Sequence, residues 1–444
     1  MPSRPTLAQL ADALARGTTT SRTLTEAALG AIETHRKAGG AAFVHVDASA
    51  ALAAADASDA ARRAGYCPSP LAGIPVSVKD LFDVAGQVTR AGAVVLPDTP
   101  AATDAEAVAR LRRAGAVLIG RTNMSEFAFS GLGVNPHYGT PRSPFDEARV
   151  AGGSTSGGGL SVALGMASAA LGTDTGGSLR IPAAFCGIVG FKPSADRVSS
   201  RGAIPLSTTL DSIGALAPSV ACCATLDAVL SGQTLDTAPL PVAGLRLFVT
   251  RDYVCDGIDD AVGAAFEAAL SRLSAAGARI VEFDFPELRT LPEVNAKGGF
   301  TAAESWYWHR DLLRSRGGEY DPIVARRIAR GEAISAADYL ELLDARAHLQ
   351  ARAAEKLRGS DAWLMPSVAI RAPRLDELAD ADDFLRINGL VLRNTTVLNF
   401  LDGAACSVPC AAGIGLSVGG LYGSDAKVLS VAAGVERALA DAAH

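Results

Sequence analysis

Apolar residues recur along this chain at two spacings, and the two alternate. Leu7, Leu10, Ala11 and Leu14 fall at helical spacing and stop at Gly17, and Leu24, Ala27, Ala28 and Ile32 repeat the pattern behind Thr20 or Ser21 as N-cap. A β-branched run at 44–46 predicts a short strand, and the alanine-rich stretch 50–64 a helix. Ile74, Val76 and Val78 then alternate with Pro75, Ser77 and Lys79, which is strand periodicity. A capped helix over 103–114, with Val108 and Leu111 inward, and a strand over 116–120 follow. Leu160, Ala163 and Leu164 mark a helix over 156–166, 169–171 reads as a short buried strand, and 172–177 as a tight turn. Residues 231–244 are polar with two prolines and read as a linker. Beyond them β/α alternation restarts: strand 245–249, helix 262–275, strand 279–283. Residues 290–358 read as mostly helical, with Ser335 capping a helix that carries Tyr339, Leu342 and Leu343. A strand-like run at 363–366 and an amphipathic helix over 425–442 complete the order. Alternation on both sides of the linker predicts an α/β fold with one continued sheet.

Composition narrows the class. With 444 residues, 49% hydrophobic and 20% charged, the chain is long enough to bury a large core and too apolar to be disordered. A net charge of −6 and the absence of a Lys/Arg stripe argue against a nucleic-acid surface. No apolar segment of membrane length and no signal-type leader is read, so a cytoplasmic protein is expected. The seven cysteines are scattered, without a C-x-x-C pair, and read as free thiols in a reducing compartment. The six histidines are dispersed and no H-E-x-x-H occurs, so neither metal nor cofactor is expected. The acidic stretch 376–383 reads as a solvated loop.

Candidate chemistry concentrates between Gly152 and Pro193. Two glycine-serine knots, at 152–154 and 176–178, bracket an apolar run. Glycine serves where backbone takes unusual dihedrals or comes close to another group. Ser178, just past a strand end, is where a hydroxyl can be presented and backbone N–H groups can converge, as an acyl-transfer nucleophile requires. A serine in a glycine-rich turn is by itself only a turn residue. Lys79, on local sequence alone, is a strand-end lysine paired with Asp80 or Asp83. His137 has no accompanying acid pattern and reads as loop packing, and Asp211 as structural.

The strings GGSTSGG at 152–158, GTDTGGS at 172–178 and R-x-PAAFCG-x-VG-x-KP at 180–193 resemble the amidase signature family, a dense match over the whole stretch. GIPVSVKD at 73–80 looks like the segment bearing that family's catalytic lysine, and TNMSEFAFSG at 122–131 like the loop passing the nucleophile. The resemblance implies one large domain over 1–444, with a mixed twisted β-sheet covered by helices on both faces. Its signature core spans about 60–230 and its C-terminal half about 245–444; residues 290–358, the least family-like portion, are expected to form part of a helical substrate funnel. It implies Ser178 as nucleophile, Ser154 as proton relay and Lys79 as general base. A cis Gly153–Ser154 bond and an oxyanion hole from the amides of Thr175, Gly176, Gly177 and Ser178 go with them. Asp174 and Arg180 would brace the loop, and Phe127, Ser130, Gly131 and Trp306 would meet substrate.

For the lysine to act as base, its ordinary pKa of about 10.4 must fall to near neutrality, a change that burial can supply. The resulting expectation is an amidase acting on a small carboxamide through an acyl-Ser178 intermediate. The alternatives are a glutaminase subunit of a tRNA-dependent amidotransferase, which needs partner subunits, and a relative acting on urea, carbamoyl or ester substrates. A phosphate-cradling module is excluded, because 187–193 lacks the G-x-x-x-x-G-K-[ST] pattern. Arg310 or Arg314 in the funnel would favour a carboxylate-bearing amide, and Trp306, Trp308 and Phe127 an aryl one. A homodimer is left open. Residues 399–409 and 416–420 resemble the family's closing strands, joined by a short connection.

Overall fold

The structure, a computed structural model, describes residues 4–441. The expected end of the last helix at Ala442 and both chain termini lie outside the described residues. Eleven strands form one sheet: β1 (Phe43–His45), β2 (Pro75–Lys79), β3 (Val117–Thr122), β4 (Ala169–Asp174), β5 (Val189–Lys192), β6 (Ser212–Ala217), β7 (Arg246–Val249), β8 (Arg279–Glu282), β9 (Ala362–Pro366), β10 (Ala405–Ala411) and β11 (Ile414–Gly419). Their order is β1-β3-β2-β4-β6-β5-β10-β11-β9-β7-β8. Each wing carries a parallel run, β3-β2-β4 on one side and β9-β7-β8 on the other, and the strands between them pair antiparallel. The expected single mixed sheet is therefore what forms, and both halves of the chain build it.

Strand alternation sends side chains into cores on opposite faces. Ala169, Leu171, Ile213 and Ala215 join a core with Cys222, Leu226, Val428 and Leu429 from helices Val220–Ser231 and Asp425–Asp441. Ala170 and Leu216 join another with Val162, Ala163 and Ala183 from helices Ser156–Ala163 and Arg180–Cys186. Strands buried on both faces explain the near-continuous apolar runs. Among the described residues no helix is long and apolar enough to cross a membrane.

Several expected boundaries move. The turn expected from Gly172 is still strand: β4 runs to Asp174. Gly172 is there for close packing, since a Cβ would lie 2.7 Å from Thr155 Cγ2 and 2.9 Å from Leu179 Cδ2. The helix expected over 103–114 spans Glu106–Arg113 without a side-chain cap, because Asp104 instead accepts the Ala85 N–H (2.8 Å). The helix expected to reach Met166 stops at Ala163, ahead of Gly165 in the left-handed region. The acidic stretch is not a loop throughout: Asp380 accepts the N–H groups of Asp382 and Asp383 and caps helix Ala381–Phe400. That helix also holds Asn399, so the closing strand begins only at Ala405. The short connection is a tight hairpin pairing Ala411 with Ile414, with Gly413 at φ +69°.

Candidate active site

β4 ends at Asp174, and the chain turns through Thr175–Ser178 into helix Arg180–Cys186. Asp174 organises that turn. Its carboxylate accepts the N–H groups of Gly177 (2.9 Å) and Leu179 (3.1 Å), a bidentate pair of bonds from the Arg180 guanidinium (2.8 and 3.0 Å), and the Asn399 amide (2.9 Å). Burial alone would raise the Asp174 pKa, but Arg180 together with Lys192 and the Asn399 amide outweighs it and holds the carboxyl down at about 2. Thr175 donates its hydroxyl to Asp211, which also accepts the Leu206 and Ser207 N–H groups. Burial pushes the Asp211 carboxyl up to about 6. Asp174 and Arg180 thus have the bracing places expected of them, and Asp211, expected to be structural, holds Thr175.

The Gly177 N–H requires a correction. It points at Asp174 and is committed to the brace, so it is not an open donor for a developing oxyanion. The other three amides expected in that role, those of Thr175, Gly176 and Ser178, are not committed to Asp174. Gly177 itself is required by its φ of +133°, and a Cβ there would collide with Thr395 Oγ1.

Lys79 ends β2, and all five residues of that strand are buried. Its Nζ donates to Ser154 Oγ (2.7 Å) and Thr173 Oγ1 (2.8 Å). Neither Asp80 nor Asp83 pairs with it, because Asp80 lies against Arg121 (3.2 Å). Complete burial lowers the lysine to about 7, against the pull of Asp211 and Asp174. The Gly153–Ser154 bond is cis. Ser178 accepts the Thr155 N–H through its carbonyl (3.2 Å), which sets it beside Ser154, while its own hydroxyl makes no hydrogen bond among the described residues. The structure therefore joins Lys79 to Ser154 directly and Ser178 to the same segment through backbone.

The 122–131 loop lies against this segment. Ser125 donates its N–H to the Ser154 carbonyl (3.2 Å), and Gly153 donates to the Gly131 carbonyl (2.8 Å). Ser130 Oγ and the Gly131 N–H both donate to Asn388 Oδ1 (3.0 and 2.9 Å). Phe127, at φ +47°, is buried in an aromatic cluster, edge-on to His309 (4.3 Å between ring centres) and near Tyr320 (5.3 Å). Trp306 sits within the helical insert, against Gly331 and under the Arg314 guanidinium. Arg310 lies over Tyr307, and Arg314 also meets Glu332.

Three features were not visible in sequence. His137 Nε2 meets Glu126 Oε1 at 2.9 Å, so the histidine does have an acid partner, one that loop curvature brings back from the preceding motif. Burial pushes the Glu126 carboxyl up to about 8. Asn388 and Arg327 come to the loop from helices far along the chain, with no local motif to mark them. Among the described residues no group of three or more His, Cys, Asp or Glu side chains is gathered so as to hold a metal ion.

A profile of the Amidase family matches residues 23–429. The 2-amino-5-chloromuconic acid deaminase of Comamonas testosteroni is 36% identical over 401 residues, covering 88% of this chain and 87% of that protein. A Glutamyl-tRNA(Gln) amidotransferase subunit of Chloroflexus aggregans is 38% identical over 360 residues, covering 74% of this chain and 73% of its own length. A crystal structure of an amidase superposes with a TM-score of 0.90 at 34% identity, covering 98% of this chain and 99% of the other.

Proposed function

The chain belongs to the amidase family, and from that premise we propose that it hydrolyses a small carboxamide to a carboxylate and ammonia or an amine. Ser178 Oγ attacks the carbonyl carbon. Its proton passes to Ser154, whose own proton passes to the neutral Lys79 amine. The carbonyl oxygen becomes an oxyanion held by the amides of Thr175, Gly176 and Ser178; losing one such donor typically costs on the order of 10²–10³ in rate. When the tetrahedral intermediate collapses, the C–N bond breaks and the leaving nitrogen takes a proton back from Lys79 through Ser154. Water then attacks the acyl-Ser178 carbonyl as its proton passes through Ser154 to Lys79; the C–Oγ bond breaks, Ser178 Oγ takes the proton back from Lys79 through Ser154, and the carboxylate is released.

The observation that carries this reading is the 2.7 Å contact between Lys79 Nζ and Ser154 Oγ, with the lysine fully buried and lowered to about 7. A base poised near the working pH is what general base catalysis needs. The expectation of a cytoplasmic enzyme is supported by seven cysteines that are all unpaired.

The test is ammonia release from aliphatic, aryl and urea-type amides and glutamine, by wild type, Ser178→Ala and Lys79→Ala. Turnover of one class, lost in both variants, supports the mechanism. Full activity in Ser178→Ala on any substrate rules it out. The 38% identity to a Glutamyl-tRNA(Gln) amidotransferase subunit supports a second reading, a glutaminase that works with partner chains. Activity on glutamine alone would select it.

A further inference from the structure

One face of helix Ala381–Phe400 runs past the site loop and the nucleophile turn. Asn388, Leu392, Thr395, Thr396 and Asn399 recur at spacings of three and four and so share that face. Asn388 holds the site loop by accepting the Ser130 hydroxyl and the Gly131 N–H. Asn399, at the other end, donates to the Asp174 carbonyl (3.1 Å) and carboxylate (2.9 Å). Between them, Thr395 and Thr396 both donate a hydroxyl to one acceptor, the Gly176 carbonyl, at 2.5 and 3.3 Å. The hydroxyl of a helical threonine ordinarily turns back to a carbonyl of its own helix. For buried Thr395 that option is the Leu392 carbonyl at 3.1 Å, and the Gly176 carbonyl is nearer. Packing presses both side chains onto the turn: a Cβ on Gly177 would collide with Thr395 Oγ1, and one on Gly176 would lie 3.2 Å from Thr396 Oγ1.

The peptide held in this way joins Gly176 to Gly177. It lies between two residues without side chains, and glycine leaves the backbone on either side free to rotate. Such a peptide turns as a unit unless both of its polar ends are fixed. Its N–H is fixed by Asp174 (2.9 Å) at the end of β4, and its carbonyl by the two threonines. The next peptides on either side carry the N–H groups of Gly176 and Ser178. Both are joined to the clamped peptide through a glycine Cα, so its plane sets their directions. Donors stabilise a developing oxyanion when their directions are set before the reaction begins. The threonine hydroxyls are spent on a carbonyl and act through those two amides.

We propose that Thr395, backed by Thr396, is a positioning residue for the reaction: its hydroxyl locks the Gly176–Gly177 peptide and so aims the Gly176 and Ser178 amides at the oxyanion. This rests on the reading of Ser178 as the nucleophile of an amidase. The acceptor lies 219 residues before Thr395 and 220 before Thr396, which hid both from any local pattern.

The test takes the amide that wild type hydrolyses fastest in the same panel and compares kcat and KM in wild type, Thr395→Val, Thr395→Ser and Thr396→Val. Valine keeps the shape of threonine and removes the donor, whereas serine keeps the donor and removes a methyl group. Thr395→Val should lower kcat and kcat/KM equally, by roughly 10²-fold, the scale of a misplaced reacting geometry, with KM unchanged. Thr395→Ser should recover most of that loss. Thr396→Val, whose hydroxyl makes the longer bond, should lose less than Thr395→Val. A wild-type kcat in Thr395→Val overturns the proposal and leaves the amidase reading standing. A loss carried by KM does the same, and so does a Thr395→Ser variant as impaired as Thr395→Val, the mark of packing alone. No turnover of any amide by wild type overturns both. Should Thr395→Val not fold, as judged by circular dichroism, Thr396→Val decides: a several-fold lower kcat at unchanged KM supports the clamp, and an unchanged kcat overturns it.

Discussion

On the proposed mechanism, Lys79 couples activity as well as stability to pH through one buried amine. Its folded pKa is about 7, whereas an unfolded lysine titrates near about 10.4. Only the neutral amine can take the Ser154 proton, so kcat/KM should rise with pH along a limb centred near 7 and level off above it. A rate profile that is flat from pH 6 to 9 would remove Lys79 from the role of base. The same residue sets a stability term of definite sign. Between pH 7 and about 10 the unfolded chain holds a proton on this lysine that the native chain does not, so unfolding takes up a proton and stability rises with pH. Below pH 7 both states are protonated and the desolvation penalty is constant. Asp211, raised to about 6, and Glu126, raised to about 8, have the opposite sign, because burial keeps them protonated where the unfolded chain has ionised. Comparing wild type with Lys79→Met isolates the lysine. Their difference in unfolding free energy should move toward wild type by about 1.4 kcal/mol per pH unit across that window, measured by urea titration at several pH values. A difference independent of pH would mean that the amine stays charged in the fold.

Among the elements, the helical insert is tied to the loop that precedes β6. Glu304, from helix Gly299–Arg316, accepts the Ser207 hydroxyl (2.7 Å), the Thr209 N–H (3.0 Å) and the Tyr339 hydroxyl (2.8 Å). The loop it clamps leads into Asp211, which holds Thr175 at the start of the nucleophile turn. Glu304→Ala should therefore lower kcat by roughly tenfold, the cost of a slightly misplaced donor set, with a smaller change in KM. Initial rates across a substrate series would check this; an unaltered kcat would show that Asp211 holds the turn without the insert. How far such links can be read in advance depends on their range. β2 and helix Ser156–Ala163 follow from local periodicity, and the glycine-serine strings mark the turn and both serines. The helix carrying Asn388, Asn394 and Asn399 is less legible, because buried polar residues interrupt its apolar face. Their partners are Gly131, the Val254 and Pro366 carbonyls, and Asp174, all distant in sequence. Glu126 with His137, and Arg327 with Phe129, are hidden for the same reason: each pair is made by chain reversal, not by spacing.

Across the whole molecule, the question is whether the two halves flanking 231–244 are separate units. The seam between them is the β5–β10 pairing, with Ala405 opposite Lys192 and Ser407 opposite Gly190. It is buried and polar as well as hydrogen-bonded along the backbone. Lys192 Nζ donates to the Pro193 and Gly403 carbonyls (both 2.8 Å), and Asp425 accepts the Ser194 N–H (2.8 Å) and hydroxyl (2.7 Å). Arg180 binds Asn399 across the same seam. An N-terminal half alone would expose β5 as an open edge and leave Ser194 without its Asp425 acceptor, and a C-terminal half alone would expose β10 and leave Asp425 without those donors. The halves should therefore unfold together despite the length of the chain. All three tryptophans lie at 306, 308 and 363, in the C-terminal half, whereas far-ultraviolet circular dichroism reports both halves. Urea transitions followed by the two signals should coincide, and Asp425→Ala, which removes the charged acceptor at the seam, should move both midpoints down together, with a loss of about 2 kcal/mol in unfolding free energy. A fluorescence transition that moves while the dichroism transition stays, or splits in two, would mean that the sheet is continuous in geometry but not in energy. The active site, whose turn is braced from the N-terminal half by Asp174 and from the C-terminal half by Asn399, would then be open to loss by unfolding of either half alone.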